Sequence, residues 1–269
     1  MDYLSALIYG IIQGFSEFLP ISSSGHLALL PHVMKIEDPG VLFDLCMHLG
    51  TALAVILYFR KQLKEILLSI PKILKNPQGD DSYFSKNLIL ATVTSVILIV
   101  ILIKPSQWAR SPYIIIANQV VFGLILYFAD RYQRKIKHEA PFHHRVAMKE
   151  SILIGLAQAL AIFPGVSRSG ITLSTAFFLK VNRHEAGAFS FLLSLPIIIA
   201  GILKELPHLR SALETDFSVG PLLLGIFSSF IVGFVTIHYF LKIIAKINLG
   251  IFTIYRIALS LLMLWFLNS

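Results

Sequence analysis

Residues 13–26 read Gln-Gly-Phe-Ser-Glu-Phe-Leu-Pro-Ile-Ser-Ser-Ser-Gly-His, in the middle of a stretch, 3–31, that is apolar at both ends. Pro20, the serine run and Gly25 are poor residues for a helix interior. The stretch therefore reads as helix, break, helix rather than as one continuous crossing. At membrane depth a broken backbone survives only where protein buries it or where it faces a wet cavity. These residues thus point to a membrane protein that has built something around a break.

The rest of the chain agrees with a membrane setting. Of 269 residues 56% are hydrophobic and 14% charged, with a mean hydropathy of +0.76. A water-soluble domain is nearer 45–50% apolar and about 25% charged, so a soluble enzyme, a disordered chain and a nucleic-acid binder are all disfavoured, the last despite a net charge of +8. The single cysteine, Cys46, forms no intramolecular disulfide or metal motif. Asp2 stands where a signal peptide would carry basic residues, so the first segment is expected to stay with the protein.

Nearly uncharged runs at 45–59 (extended toward 41), 87–103, 111–129, 186–203, 217–241 and 247–267 are each about long enough to cross a bilayer. Residues 151–179 form a second interrupted stretch, broken by Phe-Pro-Gly-Val-Ser-Arg-Ser-Gly at 163–170. A shift of 145 residues lays Gly10 on Gly155, Gln13 on Gln158, Phe18 on Phe163, Ser22 on Ser167, Ser24 on Ser169 and Gly25 on Gly170 without a gap. The expectation is an all-α integral membrane protein forming one polytopic domain over 1–269. It has six transmembrane helices and two re-entrant helix–loop–helix regions, arranged as repeats of about 1–130 and 147–269.

Loop charge orients the repeats. Segments 60–86, 130–149, 180–185 and 242–246 carry sixteen Lys and Arg together, against five in 32–44, 104–110 and 204–216. The positive-inside rule places the first set in the cytoplasm and both termini outside. The repeats are then inverted, an architecture whose broken helices meet near the midplane and whose site is expected there.

Glu17 and Arg168 are the charges within the breaks. A charge at membrane depth costs about 2.5–3.5 kcal/mol on insertion scales and marks a cavity or a pair; a purely structural Glu17–Arg168 ion pair is the plainer alternative. Ser22, Ser23, Ser24 and Gly25, and likewise Ser167, Ser169 and Gly170, open short apolar segments. Each set therefore lies at a helix N-terminus, where free amides and the helix dipole favour an anion. Capping alone explains one serine, but not two clusters flanking an arginine, the side chain best shaped for phosphate oxygens. His26 adjoins the first cluster and is a candidate nucleophile or general acid, with a carbonyl-bonded core histidine as the alternative. His48 is expected to satisfy a local hydrogen bond. Gln13 shares a helix face with Glu17 and is expected to bond Gln158 across the repeat axis, a metal or substrate contact being its second role. Arg256, near the end of the last span, is expected to snorkel to the interface. Glu17, Ser23 and His26 face Ile162, Arg168 and Ile171 in the other copy. That division of labour fits catalysis better than a symmetric transport path.

Residues 13–26 and Pro164-Gly-Val-Ser-Arg-Ser-Gly170 closely resemble the two signature motifs of the bacterial undecaprenyl-diphosphatase, or bacitracin-resistance, family, at a similar separation. The resemblance implies a multi-pass enzyme of the bacterial plasma membrane with its pocket toward the extracytoplasmic side. It implies hydrolysis of undecaprenyl diphosphate to the monophosphate and phosphate, which recycles the lipid carrier for peptidoglycan synthesis, with Mg²⁺ or Ca²⁺ as cofactor. The family's motif residues fall on Glu17, Ser22, Ser23, Ser24, His26, Ser167 and Arg168. Gln13 occupies the first position of the family's E/Q-x-x-x-E pair, so a metal would rest mainly on Glu17 and the substrate. Ser23 activated by His26 or Glu17, His26 itself, or a water activated by Glu17 remain open as nucleophile. The expected partners are the polyprenyl diphosphate and membrane lipids, not nucleic acid; a homodimer is left open. The competing reading is a transporter or lipid-phosphate flippase using the same cavity.

Overall fold

A computed structural model describes residues 1–36, 38–76, 82–109, 111–136, 146–215 and 218–268, with only the backbone at 206 and 208–215. Eleven α-helices are found among them: α1 (Tyr3–Ser16), α2 (Ser23–Met34), α3 (Gly40–Tyr58), α4 (Arg60–Lys75), α5 (Tyr83–Trp108), α6 (Pro112–Ile136), α7 (Met148–Ala159), α8 (Arg168–Phe178), α9 (Arg183–Thr215), α10 (Val219–Ile243) and α11 (Gly250–Asn268). Six helices are long and apolar enough to cross a membrane: α3, α5, α6, α9 (over Arg183–Glu205), α10 and α11. They coincide with the six expected crossings, because an uninterrupted apolar run satisfies its backbone in lipid only as a helix.

Both interrupted stretches form helix–break–helix units, with α1 packed on α2 and α7 packed on α8. The second break contains a short 3₁₀ turn, Leu160–Ile162. Two connections differ from the reading above. The segment 60–86 is not a plain loop, since α4 occupies its first part, one residue after α3 ends. Apolar residues recurring every three or four positions between the lysines make that helix amphipathic. The segment 204–216 is likewise mostly helical, because α9 continues through Pro207 to Thr215. Of the 130–149 connection, residues 137–145 lie outside the described residues, and with them His138, His143 and His144.

The helices exchange partners between the halves. The chief partner of α1 is α10, and that of α7 is α5. Small residues bring these backbones close, as expected where packing rather than water drives helix association. A Cβ on Gly14 would lie 2.7 Å from the Ser229 carbonyl oxygen and 2.8 Å from the Gly233 nitrogen, and one on Gly10 would overlap the Gly225 carbonyl. At the position 145 residues on, a Cβ on Gly155 would overlap the Ala91 carbonyl of α5. The helix that leads into each break is thereby held by a helix of the other half. At the end of the bundle where α11 begins, α6 and the α10–α11 turn are tied by buried Asp130, which pairs with Arg134 and Arg183. Those two arginines also donate to the Ile247 carbonyl.

Candidate functional site

The two breaks bring together the N-termini of α2 and α8. Ser22 and Ser167 are their N-caps, and both carry a positive φ, 69° and 70°. For a residue with a Cβ such a conformation costs on the order of 1–3 kcal/mol, and it persists where the surroundings impose it. Here it turns each chain sharply into the helix that follows, which places the first amides of α2 and α8 at the breaks. Ser167 caps its helix by accepting from the Gly170 amide at 3.2 Å, whereas Ser22 makes no such bond. Among the described residues, the amides of Ser23 and Ser24 have no protein acceptor, and neither do those of Arg168 and Ser169.

Glu17 is the centre of the arrangement. It is buried, and its Oε1 accepts from Arg168 Nη2 at 2.8 Å. Its Oε2 accepts from Ser23 Oγ at 2.9 Å and from Gln13 Nε2 at 3.0 Å. Arg168 is steadied by a bond from Nη1 to the Ser190 carbonyl at 3.0 Å, and Ser190 Oγ meets Thr172 Oγ1 at 2.6 Å. The Ser169 hydroxyl donates to the Leu19 carbonyl at 3.0 Å, and the Gly165 amide donates to Ser24 Oγ at 3.2 Å, so each break is stitched to the other. Ser22 and Ser24 share a hydroxyl contact of 3.2 Å. Ser23 and His26 are partly exposed and Ser24 is exposed, which makes this side the mouth of the site.

His26 sits at that mouth. Its Nδ1 lies 2.8 Å from the Ser22 carbonyl, which can only accept, so Nδ1 carries the proton. Nε2 is then the basic nitrogen, and it faces the Tyr255 hydroxyl at 2.7 Å. The two rings are nearly parallel, 9° apart. The carbonyl-bonded alternative thus describes one nitrogen and leaves the other directed at α11.

Two expectations are corrected and one is extended. Gln13 does not meet Gln158: Gln13 turns to Glu17, while Gln158 Nε2 reaches Ser95 Oγ at 3.2 Å and the Leu193 carbonyl at 3.3 Å. Each glutamine is drawn to the polar group nearest in its own helix packing. His48 makes its local bond, Nδ1 to the Asp44 carbonyl at 2.7 Å, but its Nε2 lies 3.4 Å from Glu17 Oε2, which brings it into the site. Arg256 does not snorkel. It is 0% exposed, and it donates to the carbonyls of Gln119 (2.9 Å), Gly165 (2.7 Å), Val166 (3.2 Å) and Asn118 (3.3 Å). These acceptors lie in α6 and in the second break, and their pull inward exceeds that of the interface. Arg256 Nη1 has no partner among the described residues and lies behind the N-terminus of α8, where a Cβ on Gly170 would be 3.2 Å from it. Gln119 is equally hidden: its carboxamide is buried without a partner among the described residues and fills the space that Gly25 leaves open.

Glu17 is the one carboxylate at this centre, and its oxygens are taken up by Gln13, Ser23 and Arg168. Among the described residues no group of three His, Cys, Asp or Glu side chains could hold a metal ion. These donors do not fit a resident divalent cation.

Two helix N-termini with free amides, a buried carboxylate holding a serine hydroxyl, and two inward arginines form a site suited to a phosphate ester. The family model for the bacitracin resistance protein BacA matches residues 6–262, almost the whole chain and both breaks. The chain therefore belongs to the bacitracin resistance protein BacA family of membrane-bound undecaprenyl pyrophosphate phosphatases.

Proposed function

We propose that the protein hydrolyses undecaprenyl diphosphate to the monophosphate and inorganic phosphate, recycling the lipid carrier of cell-wall synthesis. The observation that carries this reading is the Ser23 hydroxyl held on Glu17, at the free N-terminus of α2, with Arg168 on the carboxylate's other oxygen. Glu17 accepts the Ser23 proton as Ser23 Oγ bonds to the terminal phosphorus. The bond from that phosphorus to the bridging oxygen breaks, and the prenyl monophosphate leaves with the electron pair. Water oxygen then bonds to that phosphorus as its bond to Ser23 Oγ breaks; Ser23 Oγ takes back the proton held by Glu17, and Glu17 takes the proton of the water and passes it to solvent. The amides of Ser23, Ser24, Arg168 and Ser169 receive the equatorial oxygens, and Arg168 balances their charge; positioning and charge stabilisation are most of what phosphoryl transfer requires. Ser22, Ser24, Gly25, Ser167, Ser169 and Gly170 shape this cradle, and Gln13 and His48 hold Glu17. His26 Nε2, paired with Tyr255, is placed to exchange a proton with the leaving group. Any Mg²⁺ or Ca²⁺ would be held largely by the diphosphate itself, as Mg²⁺ often is.

The lipid tail needs an apolar exit. A groove lined by Ala28, Leu29, Ile115, Met263 and Phe266 runs between α2, α6 and α11, starting one turn beyond His26. α8 packs closely along α6, whereas α2 touches α6 at few residues, so the seam beside α2 is the looser one. This asymmetry supports entry from the extracytoplasmic half of the bilayer. The exchange of α1–α10 for α7–α5 and the matched backbones of Ser22 and Ser167 support two inverted repeats with re-entrant breaks. Because Glu17, Ser23 and His26 occur in one break only, a flippase is the weaker reading.

The test is phosphate release from undecaprenyl diphosphate by the detergent-purified protein, with Glu17→Ala, Ser23→Ala, His26→Ala and Arg168→Ala alongside. Label from a terminal-phosphate-labelled substrate should be trapped on Ser23. Folded wild-type protein that releases no phosphate overturns the enzyme; label on His26 overturns the assignment of Ser23.

A further inference from the structure

Helix α4 is attached to the bundle on one side only. Its sequence places Leu63, Ile66, Leu67, Ile70, Ile73 and Leu74 on one arc, and Arg60, Lys61, Lys64, Lys72 and Lys75 on the neighbouring one. The protein covers the first turn of the apolar arc and, beyond that turn, only its far edge. Ser69 is buried, and Leu63 and Ile66 pack against the main core. The near edge is bare: Leu67, Ile70 and Leu74 are 65%, 39% and 78% exposed, and they border the basic strip at i, i+3, i+7 spacing. Beneath the helix a cleft of about 340 Å³ lies between Gln62, Glu65 and Ser69 of α4 and Ser85 and His184 of α5 and α9, so the attachment itself is loose. Phe59, whose φ/ψ of −97°/21° departs from a helix, turns α4 away from the axis of α3.

A bare apolar edge flanked by cations, directly after a membrane crossing, matches one environment: the boundary between acyl chains and anionic headgroups. We propose that α4 is an interfacial helix that docks on anionic phospholipid. Leu67, Ile70 and Leu74 sink below the headgroups, and Arg60, Lys64, Lys72 and Lys75 meet their phosphates. The positive-inside count makes this the cytoplasmic leaflet, the side where such basic segments gather. The proposal is independent of the phosphatase reading, because no residue of α4 touches the site. Each cation near such a surface strengthens attraction by about fivefold at most, and salt screens it.

The test is quenching in nanodiscs of a fluorophore on Leu74→Cys, in a Cys46→Ser background. Brominated phosphatidylcholine and brominated phosphatidylglycerol should both quench it, the latter several-fold more strongly at equal content. Lys64→Gln, Lys72→Gln and Lys75→Gln together should bring the ratio close to one while phosphate release stays unchanged. Leu67→Glu with Ile70→Glu should abolish quenching by either lipid. Equal quenching by the two lipids in the otherwise unaltered protein would overturn the anionic preference. Absence of quenching, or protection that rises with protein concentration, would show that lipid does not cover the helix.

Discussion

Arg256→Met separates an inward structural cation from one that merely reaches the headgroups. The guanidinium holds four backbone carbonyls. Two of them, at Asn118 and Gln119, lie inside α6 and keep their helical N–H partners. The other two, at Gly165 and Val166, lie in the second break and have no other donor among the described residues. A buried acceptor left without a donor costs about 1–3 kcal/mol, so the pair together would cost about 2–6 kcal/mol. Release from burying a cation offsets part of this, and a net stability loss of about 1–3 kcal/mol is expected. The effect on rate should be larger. Ser167 and Arg168 follow Val166 directly, and a misplacement of about 1 Å at a reacting centre lowers a rate by about 10²-fold. Arg256→Lys keeps the charge but cannot span four acceptors, so it should recover only part of the activity. Thermal unfolding in detergent reads the first effect and phosphate release the second. Wild-type values in both for Arg256→Met would refute the reasoning, and a destabilised variant with full activity would refute the link to the second break.

Glu17→Gln preserves shape but removes both the base and the counter-charge of Arg168, so phosphate release should fall by about 10²–10⁴-fold, with a loss of folding stability that Ser23→Ala should not share; parallel melting curves check this. Tyr255→Phe keeps the ring beside His26 but removes its hydrogen bond. A kcat lowered by about tenfold or less, with an altered pH–rate limb and little change in KM, is expected from one such bond; an unchanged pH profile would remove Tyr255 from the proton path. Gly14→Leu must push α1 off α10 and should destabilise by about 1–3 kcal/mol or more, since overpacked cores lose that much; a variant that melts with the wild type would contradict the close approach.

Much of the architecture was legible because lipid narrows the options. A run such as 87–103 has no charge to expose and nowhere to place unpaired backbone, so it must be a helix. Pro20 and Pro164, with their serines and glycines, marked the breaks for the opposite reason, and Glu17 with Arg168 could hardly be buried unless they met. What escaped the sequence were orientations. His48 announces its bond to the residue four earlier, but the direction of its second nitrogen depends on how α3 packs on α1. Arg256 lies within a crossing, where its long side chain can turn outward or inward, and its acceptors at Gly165 and Val166 are 91 and 90 residues away. Gln13 and Gln158 stand 145 residues apart at matching positions of the two breaks, yet matching positions in a sequence need not touch. α4 offers no uncharged run, because its cations alternate with its apolar residues along the chain. A periodicity count over 60–75 would have shown it.

The exchange of helix partners between the halves has a consequence for synthesis. α1 finds its principal neighbour only in α10, which begins 203 residues after α1 ends. At about 5–20 residues per second, the ribosome needs roughly 10–40 s to supply it. During that interval the first hairpin, with Gly10 and Gly14 bare and Glu17 without Arg168, must wait in or beside the bilayer in some other company. α7 has no such delay, because α5 is already made when it emerges. The amino-terminal hairpin is thus the part of the protein that waits longest for its chief partner.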